Sequence, residues 1–136
     1  ATTGAEDAEV HQVFSAEDLI EAQALMRRMP VGDAVVEAIL DLVRACRPGE
    51  PEGVGLADVL SWGPGPRAAQ ALMLTVRARA LLSGRLAPSV EDVAALARPV
   101  LTHRMALNFA ARARGESLAG VIDRVVTRQM GLEAAA

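Results

Sequence analysis

The sequence predicts an all-α domain, a compact bundle of about five helices, on three observations. Apolar residues fill 51% of the 136 positions, yet only Phe14, Trp62 and Phe109 are aromatic, so Ala, Val, Leu, Ile and Met must build the core. Such side chains suit closely packed helices. No alternating run bounded by turn signals reads as a strand series. Apolar residues recur instead at helical spacing, between serine caps, prolines and glycines.

Residues 1–9 are small and acidic and are expected to form a flexible linker. Val10 to Phe14 alternates weakly and is expected to be extended. Ser15 then caps a first helix whose first turn carries Glu17 and Asp18, where negative charge suits the helix dipole. Its stripe is Leu19, Ile20, Ala22, Leu25, Met26 and Met29; Arg27 and Arg28 fall in the last turn, and Pro30 ends it. A second helix, from about Val31 to Cys46, has Val35, Val36, Ile39, Leu40, Val43 and Cys46 as its inner face and Asp33, Glu37, Asp41 and Arg44 as its outer one.

The run Arg47 to Gly53 is a surface loop by composition. Between Val54 and Ser61 a short helical turn around Asp58 is expected. A third helix runs from Pro66 to about Ser83, with Ala71, Leu74, Thr75, Ala78, Leu81 and Leu82 on one face and Ala69, Leu72 and Val76 widening it. That width marks a central helix touched on several sides. Gly84 is its C′ residue. Ser89 and Asp92 resemble a capping box for a fourth helix, kinked or restarted at Pro99 and continuing to about Met105. Ala106 to Arg114 reads equally as helix or extended chain. Ser117 caps a last helix that Gly131 ends, and 132–136 is an expected disordered tail.

Composition excludes several functions. The chain fits one domain. Its net charge of −3, from 14 basic and 17 acidic residues, argues against a general nucleic-acid binder. All the basic residues are arginine, so neither a P-loop lysine nor a Schiff-base lysine exists here. Cys46 is the lone cysteine and reads as a buried thiol. His11 and His103 lack companion ligands, so no metal site is expected. No run approaches a membrane span and no signal peptide opens the chain, so a cytoplasmic location is expected.

The most informative segment is Ser61-Trp62-Gly63-Pro64-Gly65-Pro66-Arg67. A Gly/Pro turn stops there and the long third helix starts. Pro66 suits the first helical position, where its missing N–H costs nothing. Arg67 falls in the first turn, where the dipole disfavours a cation by roughly 0.3–1 kcal/mol. Free N–H groups, the positive helix end and a guanidinium together suit a phosphate. A solvated arginine is the plain alternative. Gly63 and Gly65 read as serving turn geometry, and Trp62 as a packing anchor in the core or at a domain interface.

Four blocks then form a pattern: Ser61-Trp62-Gly63 with Pro66-Arg67-Ala68, Ala78 to Arg85, Val90-Glu91-Asp92-Val93, and Pro99-Val100-Leu101 with His103-Arg104. Together they resemble the C-terminal lid domain of MoxR-type AAA+ ATPases, over roughly residues 10–130. The resemblance implies an AAA+ lid for 10–131, with the linker 1–9 leading from an upstream core. It makes Arg67 the sensor-2 arginine that reaches the γ-phosphate of ATP held on that core, with Gly63, Gly65 and Pro66 in the nucleotide-facing turn. Pro64 stands where the family has a small residue, and Gly65 where it commonly has Ser.

The resemblance further implies ATP and Mg²⁺ in the full-length protein, a ring expected to be a hexamer, neighbouring subunits as partners, von Willebrand A-domain proteins as further partners, and a chaperone-like role. Walker A and Walker B elements are missing, so the chain alone is expected to be inactive in hydrolysis and to bind no nucleotide tightly. A free-standing helical adaptor with an apolar groove is the competing function. Arg77 and Arg79 read as solvated or carboxylate-paired, either one able to meet a neighbouring subunit, Asp92 as a cap partner, and His103 as a satisfied, partly buried side chain.

Overall fold

The computed structural model describes residues 11–53 and 55–131. The expected linker 1–9 and tail 132–136 lie outside the described residues. Six helices form the body: α1 (Ala16–Arg28), α2 (Asp33–Ala45), α3 (Pro66–Leu82), α4 (Val90–Leu101), α5 (Phe109–Ala113) and α6 (Leu118–Met130). Two short strands, β1 (Leu60–Trp62) and β2 (Ala106–Leu107), pair antiparallel, with Leu60 opposite Leu107 and Trp62 opposite Ala106. The all-α class stands. The strands are the correction to the strand-free expectation, and they resolve the ambiguity at Ala106. Two or three residues are too few to alternate visibly, and Asn108, whose side chain accepts from the Ala111 N–H at 2.8 Å, restarts the chain as α5.

Most helix ends follow from their caps. Ser15 and Asp18 cap α1 reciprocally, and Ser117 caps α6 by accepting from the Gly120 N–H at 3.1 Å. Gly84 and Gly131 adopt positive φ (71° and 62°) at the ends of α3 and α6. Pro99 lies inside α4, which runs only two residues further before a three-residue 3₁₀ turn, Thr102–Arg104. Thr102 Oγ1 and the Arg104 guanidinium donate to the Arg98 and Val100 carbonyls, each at 2.7 Å, and so satisfy acceptors that the ended helix leaves open.

Helix α3 is central, packed against α4, α2 and α1, while α6 closes on α4 and α2. The largest fully buried side chains are aliphatic, among them Ile39, Leu42, Leu72, Leu101 and Ile122. Each is worth about 1.5–3 kcal/mol. Two expected faces are corrected. On α3 the buried positions are Ala68, Leu72, Val76 and Ala80, whereas Leu82 is 89% exposed. On α2, Leu42 and Ala45 are buried while Leu40 is exposed.

Helix α1 buries no residue, although its apolar stripe predicts an inward face; Leu19, Ile20 and Leu25 are all exposed. It lies at the rim against α3, covered only along Ala22, Met26 and Met29, and Arg77 Nε donates to the Met29 carbonyl at 3.1 Å. Residues 11–14 belong to no helix or strand, Val10 lies outside the described residues, and Phe14 is exposed.

Candidate functional site

The turn at 63–65 is seated on the end of α2. A Cβ on Gly63 would overlap the Cys46 carbonyl oxygen and stand 2.8 Å from Arg47 Cα, so only glycine fits. Pro64 is buried, and its carbonyl accepts from Arg47 Nε at 2.9 Å. Gly65 is the N-cap of α3, with φ −86° and nothing within 4 Å of where a Cβ would stand. The expectation that Gly65 serves turn geometry is therefore corrected: its backbone suits any residue and its surroundings are open.

Pro66 takes the first helical position, as expected, and Arg67 follows it, exposed to solvent. Among the described residues α3 is the one helix of eight or more residues whose start has neither an acid in its first turn nor a serine cap. Helices α1, α2 and α4 carry Glu17 and Asp18, Asp33, and Glu91 and Asp92, while Ser117 caps α6. The positive end of the α3 dipole is thus uncompensated, and a guanidinium is added to it.

Most other arginines are engaged. Arg44, Arg79, Arg85, Arg98 and Arg124 pair with carboxylates, and Arg47, Arg77, Arg104 and Arg114 donate to backbone carbonyls. Among the described residues Arg67 has no hydrogen-bond or ion-pair partner, a state it shares with Arg27, Arg28 and Arg112. Along the same α3 face, at Gln70 and Leu74, an apolar groove of about 470 Å³ opens between α2 and α3, lined also by Val36, Leu40 and Met73.

Trp62 is 60% exposed on β1, which removes the core half of its expected role and leaves it on the surface shortly before Arg67. His103 is exposed rather than partly buried and accepts from the Arg104 guanidinium. Asp92 is a cap partner, as expected, and more. Its buried carboxylate accepts from the Ser89 N–H at 2.9 Å, from Arg85 at 2.6 and 2.8 Å, and from Arg79 at 3.1 Å. Burial works to raise this carboxyl, but the Arg85, Ser89 and Arg79 contacts outweigh it and hold it below the usual carboxylate range. Arg79 lies near the end of α3 and Arg85 just past it, both far from Arg67, so this cluster ties the far end of the central helix to α4. Burial pushes the Cys46 thiol up to about 12.

A family model described as the AAA lid domain matches residues 57–125, which include β1, the turn, Arg67 and most of α6. The chain belongs to that family of AAA+ lid domains. Over 118 residues, 85% of the chain, it is 35% identical to Chaperone MoxR1 of Mycobacterium tuberculosis and covers 31% of that protein. A solved structure from Cytophaga hutchinsonii, provisionally assigned as an ATPase, superposes with a TM-score of 0.77 at 27% identity, over 84% of this chain and 34% of that one. The chain therefore spans about a third of the length of each of these relatives. The resemblance read from the four sequence blocks and these matches agree on a lid of the MoxR type.

Proposed function

We propose that this lid closes over ATP held on an α/β core domain and that Arg67 meets the γ-phosphate from the start of α3. The observation that carries the reading is the uncompensated start of α3: no side-chain cap, no acid in the first turn, and an exposed, partnerless Arg67. The fold leaves this cation unneutralised, and an incoming phosphate would do what a cap does elsewhere. Open space at Gly65 gives the phosphate room to approach the first-turn N–H groups. The apolar groove beside Arg67 supports a docking face on the same side, from which water would be excluded on closure.

ATP differs from ADP by the phosphate that Arg67 would contact, so only ATP would favour the closed arrangement. In the longer protein Mg²⁺ would accompany ATP, and the lids would sit between subunits of a ring. A chaperone-like remodelling role and von Willebrand A-domain partners follow from the resemblance to MoxR-type proteins. Hydrolysis would belong to the core and this lid together. The test is Arg67→Ala in the longer protein: a fall in ATP turnover of about 10²–10³-fold is expected, the size of a lost transition-state donor. Unchanged turnover and unchanged ATP affinity would remove the role.

The groove also favours a second reading, an adaptor that seats an apolar helix between α2 and α3. A Walker A lysine encoded within one domain length upstream decides for the lid.

A further inference from the structure

Arg47, just past the end of α2, is held at three points. Its Nε donates to the Pro64 carbonyl at 2.9 Å. Its Cα lies against Gly63, where a Cβ would come within 2.8 Å. Its carbonyl oxygen lies against Gly53, where a Cβ would overlap it outright. The backbone at 46–48 is therefore sandwiched between the end of the 47–53 loop and the turn that launches α3. Both contacts are made by glycine because nothing larger fits.

We infer that Arg47 is a positioning residue for Arg67, an inference that rests on the reading of Arg67 as the phosphate contact. The Pro64 carbonyl belongs to the peptide plane that ends at Gly65, the N-cap of α3. Fixing that carbonyl fixes where the first turn begins. No side chain caps the turn, and nothing packs where a Cβ on Gly65 would stand. Among the described residues, the bond from Arg47 to Pro64 is the side-chain hydrogen bond that restrains this stretch of backbone. The body of α3 is secured separately by the buried Leu72 and Val76. Losing the Arg47 bond therefore loosens the first turn, where Arg67 sits, and leaves the core in place. A guanidinium that must meet a phosphate in one geometry is sensitive to displacements of about 1 Å.

Two variants test this: Arg47→Met, which keeps the stem and removes every donor, and Arg47→Lys, which keeps a cation and one donor group. In this chain, amide hydrogen exchange at Ala68, whose N–H donates to the Gly65 carbonyl at 2.9 Å, is expected to speed up roughly tenfold in Arg47→Met and less in Arg47→Lys, with the amides of Val125 and Val126 unchanged. Equal exchange at the α3 start, or acceleration everywhere, overturns the inference. In the longer protein that carries this lid, fluorescent ATP and ADP analogues read the functional half. Arg47→Met is expected to weaken the ATP analogue about fivefold, the size of one lost hydrogen bond, and to leave the ADP analogue alone. Arg47→Met combined with Arg67→Ala should bind no more weakly than Arg67→Ala alone.

The outcomes separate. If Arg67→Ala weakens ATP binding and Arg47→Met does not, or if the two losses add, Arg47 is structural only and the inference fails. If Arg67→Ala itself changes nothing, the phosphate reading fails first and the positioning role falls with it.

Discussion

Gly63 and Gly65 stand two residues apart and answer to opposite demands. Gly63 is pressed against the Cys46 carbonyl, so Gly63→Ala drives a methyl into backbone that cannot yield cheaply; a loss of about 1–3 kcal/mol is expected from thermal or urea unfolding. Gly65→Ala meets open space at an ordinary φ and should cost under about 1 kcal/mol, the difference between a Gly and an Ala N-cap. Cys46 has a buried thiol with its pKa near 12, so at pH 8 it should resist a thiol reagent in the folded chain and react only after unfolding. The Gly/Pro turn, Pro66 and Arg67 were legible in the sequence because turn and cap chemistry is local. Arg47 was not, because its bond to Pro64 spans seventeen residues and leaves no mark in local spacing.

At the scale of elements, helix existence was legible and helix orientation less so. Serine caps, end glycines and Pro30 punctuate the chain, whereas α3 is apolar around most of its circumference, so its four-residue buried row at Ala68, Leu72, Val76 and Ala80 could not be singled out by pattern. Helix α1 shows the converse: an apolar stripe gives no information about whether a neighbour covers it. The junction of α3 and α4 yields a test. Asp92 is buried but its partners Arg79 and Arg85 are half-exposed, so solvent screens part of the attraction. Asp92→Ala is expected to cost about 1–3 kcal/mol, mostly through lost charge-assisted hydrogen bonds. The Asp92 pKa is depressed on folding, so its contribution is full above the ordinary carboxylate range and is lost as pH falls through the depressed value. Unfolding measured from pH 6 down to pH 2 should show Asp92→Asn losing less stability over the acid limb than the parent does. Parallel acid limbs would place the stabilising charge elsewhere.

For the whole molecule, the helical bundle and its family were legible because four blocks keep their order and spacing, while the two-strand ribbon was too short to announce itself. Among the described residues no helix is long and apolar enough to cross a membrane. The chain taken as a whole also bears on nucleotide binding. This chain offers a phosphate one partnerless guanidinium at one helix start, with no lysine anywhere to cradle the other phosphates. One exposed charge-assisted contact is worth about 1.5–3 kcal/mol at best, short of the roughly 4 kcal/mol that a millimolar Kd requires. Any nucleotide that binds the folded chain alone raises its stability by RT ln(1 + [L]/Kd). At about 10 mM Mg-ATP, a Kd of about 1 mM would add roughly 1.4 kcal/mol, which raises the midpoint of a domain this size by several degrees. The expected shift for the isolated chain is below about 1 °C, the same for Mg-ATP and Mg-ADP, and the same for Arg67→Ala. A shift of several degrees with Mg-ATP that disappears in Arg67→Ala would mean that the lid carries a nucleotide site of its own, and closure would then no longer require a core to present the triphosphate.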